Sequence, residues 1–248
     1  MFSKGREPLN QSTVRFPDRN CTLVIMAKAP RLGMVKTRLS QSLPSPAVTA
    51  LYRCLLEDTI TLARSLNGVE VAIMCPASDT GELESWLGNS VPIVAQTGDG
   101  LAAGLISVFA HFATSGRRHV IAFNSDSPHL PVAFLERAFQ ALKVRDLIIG
   151  PTHDGGYYLV GARAPHATLF ENDGLGTGNA LERLLARARE LELSTGLSEP
   201  FYDIDVADDL VRLAQDLRLA PSRAPRTAAW LAEWGQTAAK LPPHTEEL

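Results

Sequence analysis

The feature of this sequence that most restricts its fold is an alternation. Short apolar runs at residues 22–27, 69–75, 91–95 and 119–123 are separated by longer stretches whose apolar residues recur at helical spacing. Leu51, Leu55, Leu62 and Leu66 carry that spacing across 47–66, which ends at Asn67-Gly68. Strands separated by helices do not pair as hairpins; they line up in a mainly parallel sheet with helices on both faces. Further helices are predicted at 35–43, 79–87 (capped by Asp79 or Thr80), 101–114, 131–142, 179–190, 206–217 and 226–240. The rhythm breaks once, where 147–150 and 157–160 both read as strands joined by the turn Asp154-Gly155-Gly156. An antiparallel strand is expected there, and a last strand at 200–204. The predicted fold class is therefore α/β: a three-layer α/β/α sandwich around a mostly parallel, mixed sheet.

The bulk composition excludes several functions. Lys and Arg number 24 against 27 Asp and Glu, a formal net charge of -3, so no global basic field recruits nucleic acid or an anionic membrane. No apolar run reaches the ~20 residues of a membrane-spanning helix. Residues 1–20 are polar and lack the apolar middle of a signal peptide. Cys21, Cys54 and Cys75 are odd in number and too widely spaced for a disulfide frame or zinc site. The expectation is a cytoplasmic protein acting on small molecules, with a mobile extension at 1–20, a single domain at 21–220, and a linker, helix and tail at 221–248.

With no global positive field, any anion site must be local, and one stretch stands out. The apolar run Leu23 to Ala27 breaks at Pro30 and Gly33, and Lys28, Arg31, Lys36 and Arg38 lie around the break. A strand running into an irregular basic loop is how α/β proteins present charge to a phosphate. Lys28, Arg31, Gly33, Lys36 and Arg38 are the candidate phosphate-binding residues; the bland alternative is a solvated basic connection. The loop is not a Walker A motif, because Val35 precedes Lys36-Thr37, and no G-x-G-x-x-G or G-x-S-x-G pattern occurs where a Rossmann or hydrolase site needs it.

Ligands of such sheets bind beyond the carboxyl ends of the strands. Asp126, in Asn124-Ser125-Asp126-Ser127-Pro128, stands at one such end, either as a ligand for a hard divalent cation or as a turn or helix cap. Asp203 and Asp205 share a face if 200–205 is extended, so both are candidate metal ligands; Asp205 is also placed to cap the next helix. Asp154, Gly155, Gly156 and Tyr157 combine backbone freedom with an aromatic ring, which suits either a substrate pocket or an ordinary turn.

Taken in order, Lys28-Ala29-Pro30…Gly33…Lys36-Thr37-Arg38-Leu39, Ser125-Asp126-Ser127-Pro128, Gly150-Pro151…Asp154-Gly155-Gly156-Tyr157-Tyr158-Leu159 and Asp203-Ile204-Asp205…Asp208-Asp209-Leu210 resemble the DUF2064 family. That family is also described as glycosyltransferase-A-like or CofC-like, and the likeness spans about residues 22–215. The resemblance implies a nucleotide-diphospho-sugar transferase fold, a divalent metal (Mg2+ or Mn2+) and a basic loop after the first strand. It also implies substrate contacts from Gly176 and Thr177. Leu175 stands where the family usually has Trp, and Gly98-Asp99-Gly100-Leu101-Ala102-Ala103 replaces its Gly-Asp-Leu-Gly-Glu-Arg.

The expected activity is transfer of a nucleoside monophosphate unit from an NTP to a phosphorylated small molecule, releasing pyrophosphate. Lys36 and Asp126 would be catalytic, with metal on Asp126, Asp203 and Asp205. The alternatives are a glycosyltransferase using a nucleotide-sugar donor, whose diphosphate calls for fewer cations, and a non-catalytic nucleotide-binding domain.

Overall fold

A computed structural model describes residues 20–171 and 178–238. The predicted mobile extension lies almost wholly outside the described residues, as do Gly176 and Thr177. Seven strands form one sheet: β1 (Cys21–Met26), β2 (Glu70–Cys75), β3 (Ile93–Ala95), β4 (His119–Asn124), β5 (Leu147–Pro151), β6 (Tyr157–Ala162) and β7 (Thr195–Leu197). Their order is β3-β2-β1-β4-β6-β5-β7. All neighbours pair in parallel except at β6, which runs antiparallel to both β4 and β5. The break in the rhythm at 147–160 thus supplies the one antiparallel strand among the described residues, and the expected α/β/α class stands.

The helices are α1 (Ser45–Arg64), α2 (Thr80–Leu87), α3 (Gly100–Thr114), α4 (Val132–Leu142), α5 (Ala180–Glu190), α6 (Ala207–Leu219) and α7 (Pro225–Ala238). Alternate residues of β1 face opposite sides, as the period-two geometry of a strand requires. Leu23 and Ile25 pack with Leu56 and Ile60 of α1, Leu83 of α2 and Leu135 and Phe139 of α4. Val24 packs with Leu105 and Phe109 of α3 and Leu184 of α5 on the other face. Because both faces are covered, β1 is apolar along most of its length rather than alternating. A third cluster joins Leu51 and Leu55 of α1 to Leu210, Leu213 and Leu217 of α6, with Trp230 and Leu231 of α7 packed against it.

Two predicted elements are corrected. Residues 35–43 contain only a short 3-10 turn at Leu39–Gln41, because Lys36 takes a left-handed backbone (φ 47°) that no α-helix accommodates. Residues 200–204 are not a strand; β7 lies at Thr195–Leu197 instead, and only an isolated bridge, Thr152 to Phe201, extends the sheet. The alternation read there is nevertheless real. Tyr202 and Ile204 are buried in the third cluster, while Asp203 and Asp205 face the other way and are partly exposed.

The C-terminal helix is tied to the sheet-bearing body through Asp58 of α1, whose carboxylate is buried. It accepts the Thr227 N–H and hydroxyl at 2.8 Å each and the Arg226 N–H at 3.3 Å. A carboxylate from another helix thus satisfies the first-turn donors of α7. None of the described helices is long and apolar enough to cross a membrane.

Candidate active site

The order β3-β2-β1-β4 places β1 beside β4, where successive connections leave the sheet in opposite directions, and a crevice opens beyond the carboxyl ends. A cavity of about 490 Å³ occupies it, lined by Lys28, Lys36, Arg38, Tyr52, Asp126 and Asp205 among others. Its apolar wall is Met26 and Met74 from the ends of β1 and β2, with Leu101 from α3.

At its centre Lys36 bridges two carboxylates. Its Nζ lies 2.7 Å from Asp126 Oδ2 and 2.7 Å from Asp205 Oδ1, and its side chain is 6% exposed. Burial opposes the ammonium charge, but the two carboxylates outweigh it and hold the pKa above the usual lysine value. Arg38 reaches the other oxygen of Asp205, Nη1 to Oδ2 3.2 Å. Burial disfavours the Asp205 carboxylate, yet Lys36 and Arg38 keep it below the ordinary carboxylate range.

The surrounding chain fixes these groups. Asp126 does not cap α4, which begins behind Pro131 with no side-chain cap. Instead the Ser125 hydroxyl donates to Asp126 Oδ1 at 3.0 Å, leaving Oδ2 for Lys36. Ser127 donates to the Tyr202 carbonyl at 3.0 Å and so ties the β4 end to the segment carrying Asp203 and Asp205. Asp205 does not cap α6 either. Asp209 fills that role, its Oδ2 accepting the Asp205 and Val206 N–H groups at 2.9 and 2.8 Å. Asp203 stands beside Asp205; burial first, then the Asp205 charge, pushes its pKa up to about 6, with Lys36 opposing and Asp126 and Asp154 adding to the rise.

Tyr52 is a site residue that sequence reasoning missed. It sits between Leu51 and Leu55 on α1 and reads as one more core position. Its hydroxyl accepts the Lys28 N–H at 3.0 Å and donates to the Lys28 carbonyl at 3.2 Å, pinning the start of the basic loop. Burial, and then the nearby Asp126 charge, push its pKa up to about 12. Gln96 was equally unmarked; its amide donates to the Gly98 and Gly100 carbonyls at 2.9 and 3.1 Å and closes the cavity beside α3. The rule that ligands sit beyond strand ends would have found Gln96, which follows β3 directly.

Other candidate residues stand apart from this cavity. Arg31 is drawn away from the cavity, its guanidinium on Asp79 Oδ1 at 2.7 Å and Glu82 Oε2 at 2.8 Å. Asp79 stands at the N-cap position of α2, but its side chain makes no cap hydrogen bond: its second oxygen accepts the Ala29 N–H at 2.8 Å, so α2 anchors this end of the loop. Gly33 does not line the cavity; it turns the loop with φ 70°. Asp154, Gly155, Gly156 and Tyr157 also lie outside the cavity lining. Asp154 Oδ1 accepts the Thr152 hydroxyl and the Gly156 N–H at 2.5 and 3.1 Å, a self-contained turn. The backbone that approaches Gly155 is this chain's own. A Cβ built there would stand 2.0 Å from the Gly178 carbonyl, and Leu181 N–H donates to the Gly155 carbonyl at 3.0 Å.

This sheet and its crevice define a nucleotide-diphospho-sugar transferase-like, glycosyltransferase-A-like fold. A provisionally named nucleotide-diphospho-sugar transferase from Desulfovibrio desulfuricans G20 superposes with a TM-score of 0.81 at 26% identity, covering 89% of this chain and 97% of that one. The 4-diphosphocytidyl-2C-methyl-D-erythritol synthase of Anaerococcus prevotii shares the fold at a TM-score of 0.53 and 11% identity, over 80% of this chain and 96% of that one. The DUF2064 family, described as an uncharacterized protein conserved in bacteria, matches residues 59–177. That span includes Asp126 and the Asp154-Gly155-Gly156 turn but not the basic loop or Asp205, whose place in the site rests on geometry. No curated protein matches the chain.

Proposed function

We propose that this chain is a metal-dependent nucleotidyltransferase that moves a nucleoside monophosphate unit from an NTP to a phosphorylated small molecule and releases pyrophosphate. The observation that carries this reading is the convergence of Lys28, Lys36 and Arg38 with Asp126 and Asp205 on one cavity at the carboxyl end of the sheet.

The donor set suits a hard divalent cation, Mg2+ or Mn2+. Two carboxylate oxygens, Asp126 Oδ2 and Asp205 Oδ1, face a single point 2.7 Å from each, the point held by the Lys36 ammonium. Among the described residues no group of three His, Cys, Asp or Glu side chains is arranged as a ready-made metal cage. A site of two carboxylates completed by substrate phosphates is how magnesium is usually held. Asp203 is the third candidate ligand, on the same side of its segment as Asp205. When bound, the ion would neutralise phosphate charge and orient the α-phosphate for in-line attack.

The chain's own groups supply the rest. Lys28, Lys36 and Arg38 bind the β- and γ-phosphates and stabilise the charge that gathers on the leaving pyrophosphate. Tyr52 keeps Lys28 at the cavity edge, and Met26, Met74 and Leu101 exclude water from one wall. No residue need form a covalent bond to substrate; positioning and electrostatics account for the reaction. The acceptor is a small molecule whose phosphate oxygen attacks.

A glycosyltransferase using a nucleotide-sugar donor is the second reading, favoured by the name of the Desulfovibrio relative. Three cationic side chains on the cavity suit a triphosphate better than a diphosphate. The test is incubation with each NTP, magnesium and a panel of phosphorylated acceptors, with pyrophosphate as the readout. Pyrophosphate release is expected for one pairing. Turnover of a nucleotide-sugar with no pyrophosphate from any NTP would transfer the conclusion to the second reading.

A further inference from the structure

Lys36 and the proposed metal compete for the same two oxygens. The ammonium lies 2.7 Å from each, its side chain is 6% exposed, and its backbone is left-handed, an unusual state for a lysine. A divalent ion cannot settle between Asp126 and Asp205 while the ammonium is there. The backbone carrying Lys36 is anchored at its ends and by the buried Val35, while the residues around that anchor are exposed. Arg31 is fixed to Asp79 and Glu82, and Arg38 to Asp205, while Leu32 and Met34 are 63% and 64% exposed and Gly33 sits at the turn. Lys36 lines the same cavity as Lys28 and Arg38, so an anion entering there comes within reach of the ammonium.

We propose that Lys36 gates the metal position: it occupies the cation point between Asp126 and Asp205 until a polyphosphate draws the ammonium into the cavity. Divalent metal and polyphosphate then bind as a coupled pair, each removing the obstacle to the other. This rests on the metal site of the nucleotidyltransferase reading, but not on the reaction itself.

The test is manganese binding to nucleotide-free protein, followed by electron paramagnetic resonance of the free ion. Even at the dielectric of water, a unit charge about 4 Å from a divalent ion weakens its binding by about 30-fold. Lys36→Met should therefore bind Mn2+ at least about 30-fold more tightly than the wild type, with Lys36→Arg remaining near the wild type. Adding Asp126→Asn to Lys36→Met should abolish the gain. Inorganic tripolyphosphate, after correction for its own metal complex, should close most of the gap for the wild type. Equal Mn2+ affinity of wild type and Lys36→Met, or no effect of tripolyphosphate on wild-type uptake, would overturn the gate. Should Lys36→Met be poorly folded, thermal melting decides: Mn2+ should raise its Tm far more than that of the wild type, and equal shifts refute the proposal. Failure of pyrophosphate release with these metal results intact would remove the reaction and leave the gate.

Discussion

Asp203→Asn should make the protein more stable at neutral pH. Burial and the Asp205 charge raise the Asp203 pKa to about 6 in the folded protein, against about 3.9 in an unfolded chain. The folded state therefore binds this proton more tightly than the unfolded state. Below about pH 4 both states are protonated and the group contributes nothing. As pH rises through the window between the two values stability falls, and above about pH 6 the full penalty applies. A shift of about two units corresponds to about 3 kcal/mol, and partial exposure of Asp203 lowers the expectation to about 1–3 kcal/mol.

Urea unfolding of wild type and Asp203→Asn at about pH 8 and about pH 4 measures the difference directly. The shared contributions of Lys36, Asp126 and Asp205 largely cancel in that comparison. The variant should gain stability near pH 8 and lose that gain near pH 4. A gain independent of pH, or a loss at pH 8, would refute the account of Asp203 as a carboxylate ionised against its surroundings. Such a residue is retained where a ligand makes use of the charge, so the same variant should bind Mn2+ with tripolyphosphate more weakly while melting higher.

Three further outcomes are expected. Asp58→Ala strips the buried cap from α7 and leaves the Thr227 N–H and hydroxyl without their acceptor; it should cost about 2–4 kcal/mol in urea unfolding, and a loss under about 0.5 kcal/mol would mean α7 is held by apolar packing alone. Gly155→Ala places a methyl 2.0 Å from the Gly178 carbonyl at a φ of 86°; its Tm should fall sharply, whereas a binding defect with unchanged Tm would restore this turn to the substrate site. Lys36→Ala should weaken NTP binding by at least about tenfold while changing nucleoside monophosphate binding little, and equal losses in calorimetry would count against contact with the β- and γ-phosphates.

The strand–helix alternation was legible because burial on both faces writes a strand as a continuous apolar run and each covering helix as a periodic one. Where one face is not sheet-bound the pattern misleads: Tyr202 and Ile204 alternate with Asp203 and Asp205 because one side packs on α6, and no ladder is needed. β7 is three residues, Thr195-Gly196-Leu197, too short and too weakly apolar to announce itself. Asp126 and Asp205 were legible as acidic ends of the chain's extended segments. Arg31 was not, since Asp79 and Glu82 lie about fifty residues away in sequence and look like ordinary residues at a helix start.

The pairing of Arg31 with Asp79 and Glu82 changes what the basic loop is. Four cations, Lys28, Arg31, Lys36 and Arg38, read in sequence as a positive patch waiting for phosphate. In space Arg31 stands against Asp79 and Glu82 away from the cavity, while Lys36 stands between Asp126 and Asp205 and Arg38 against Asp205, so three of the four cations are already in ion pairs. At Lys36 and Arg38 a triphosphate alone gains little, because a phosphate there must displace a carboxylate already within contact distance. A divalent cation alone fares no better, since Lys36 holds its position. Together the two ligands would improve on the resting pairs: Asp126 and Asp205 would hold the metal, and the Lys36 ammonium and Arg38 guanidinium would turn to the phosphates. The exchange of partners is what would let such a site ignore free metal and free polyphosphate and respond to the complex of both.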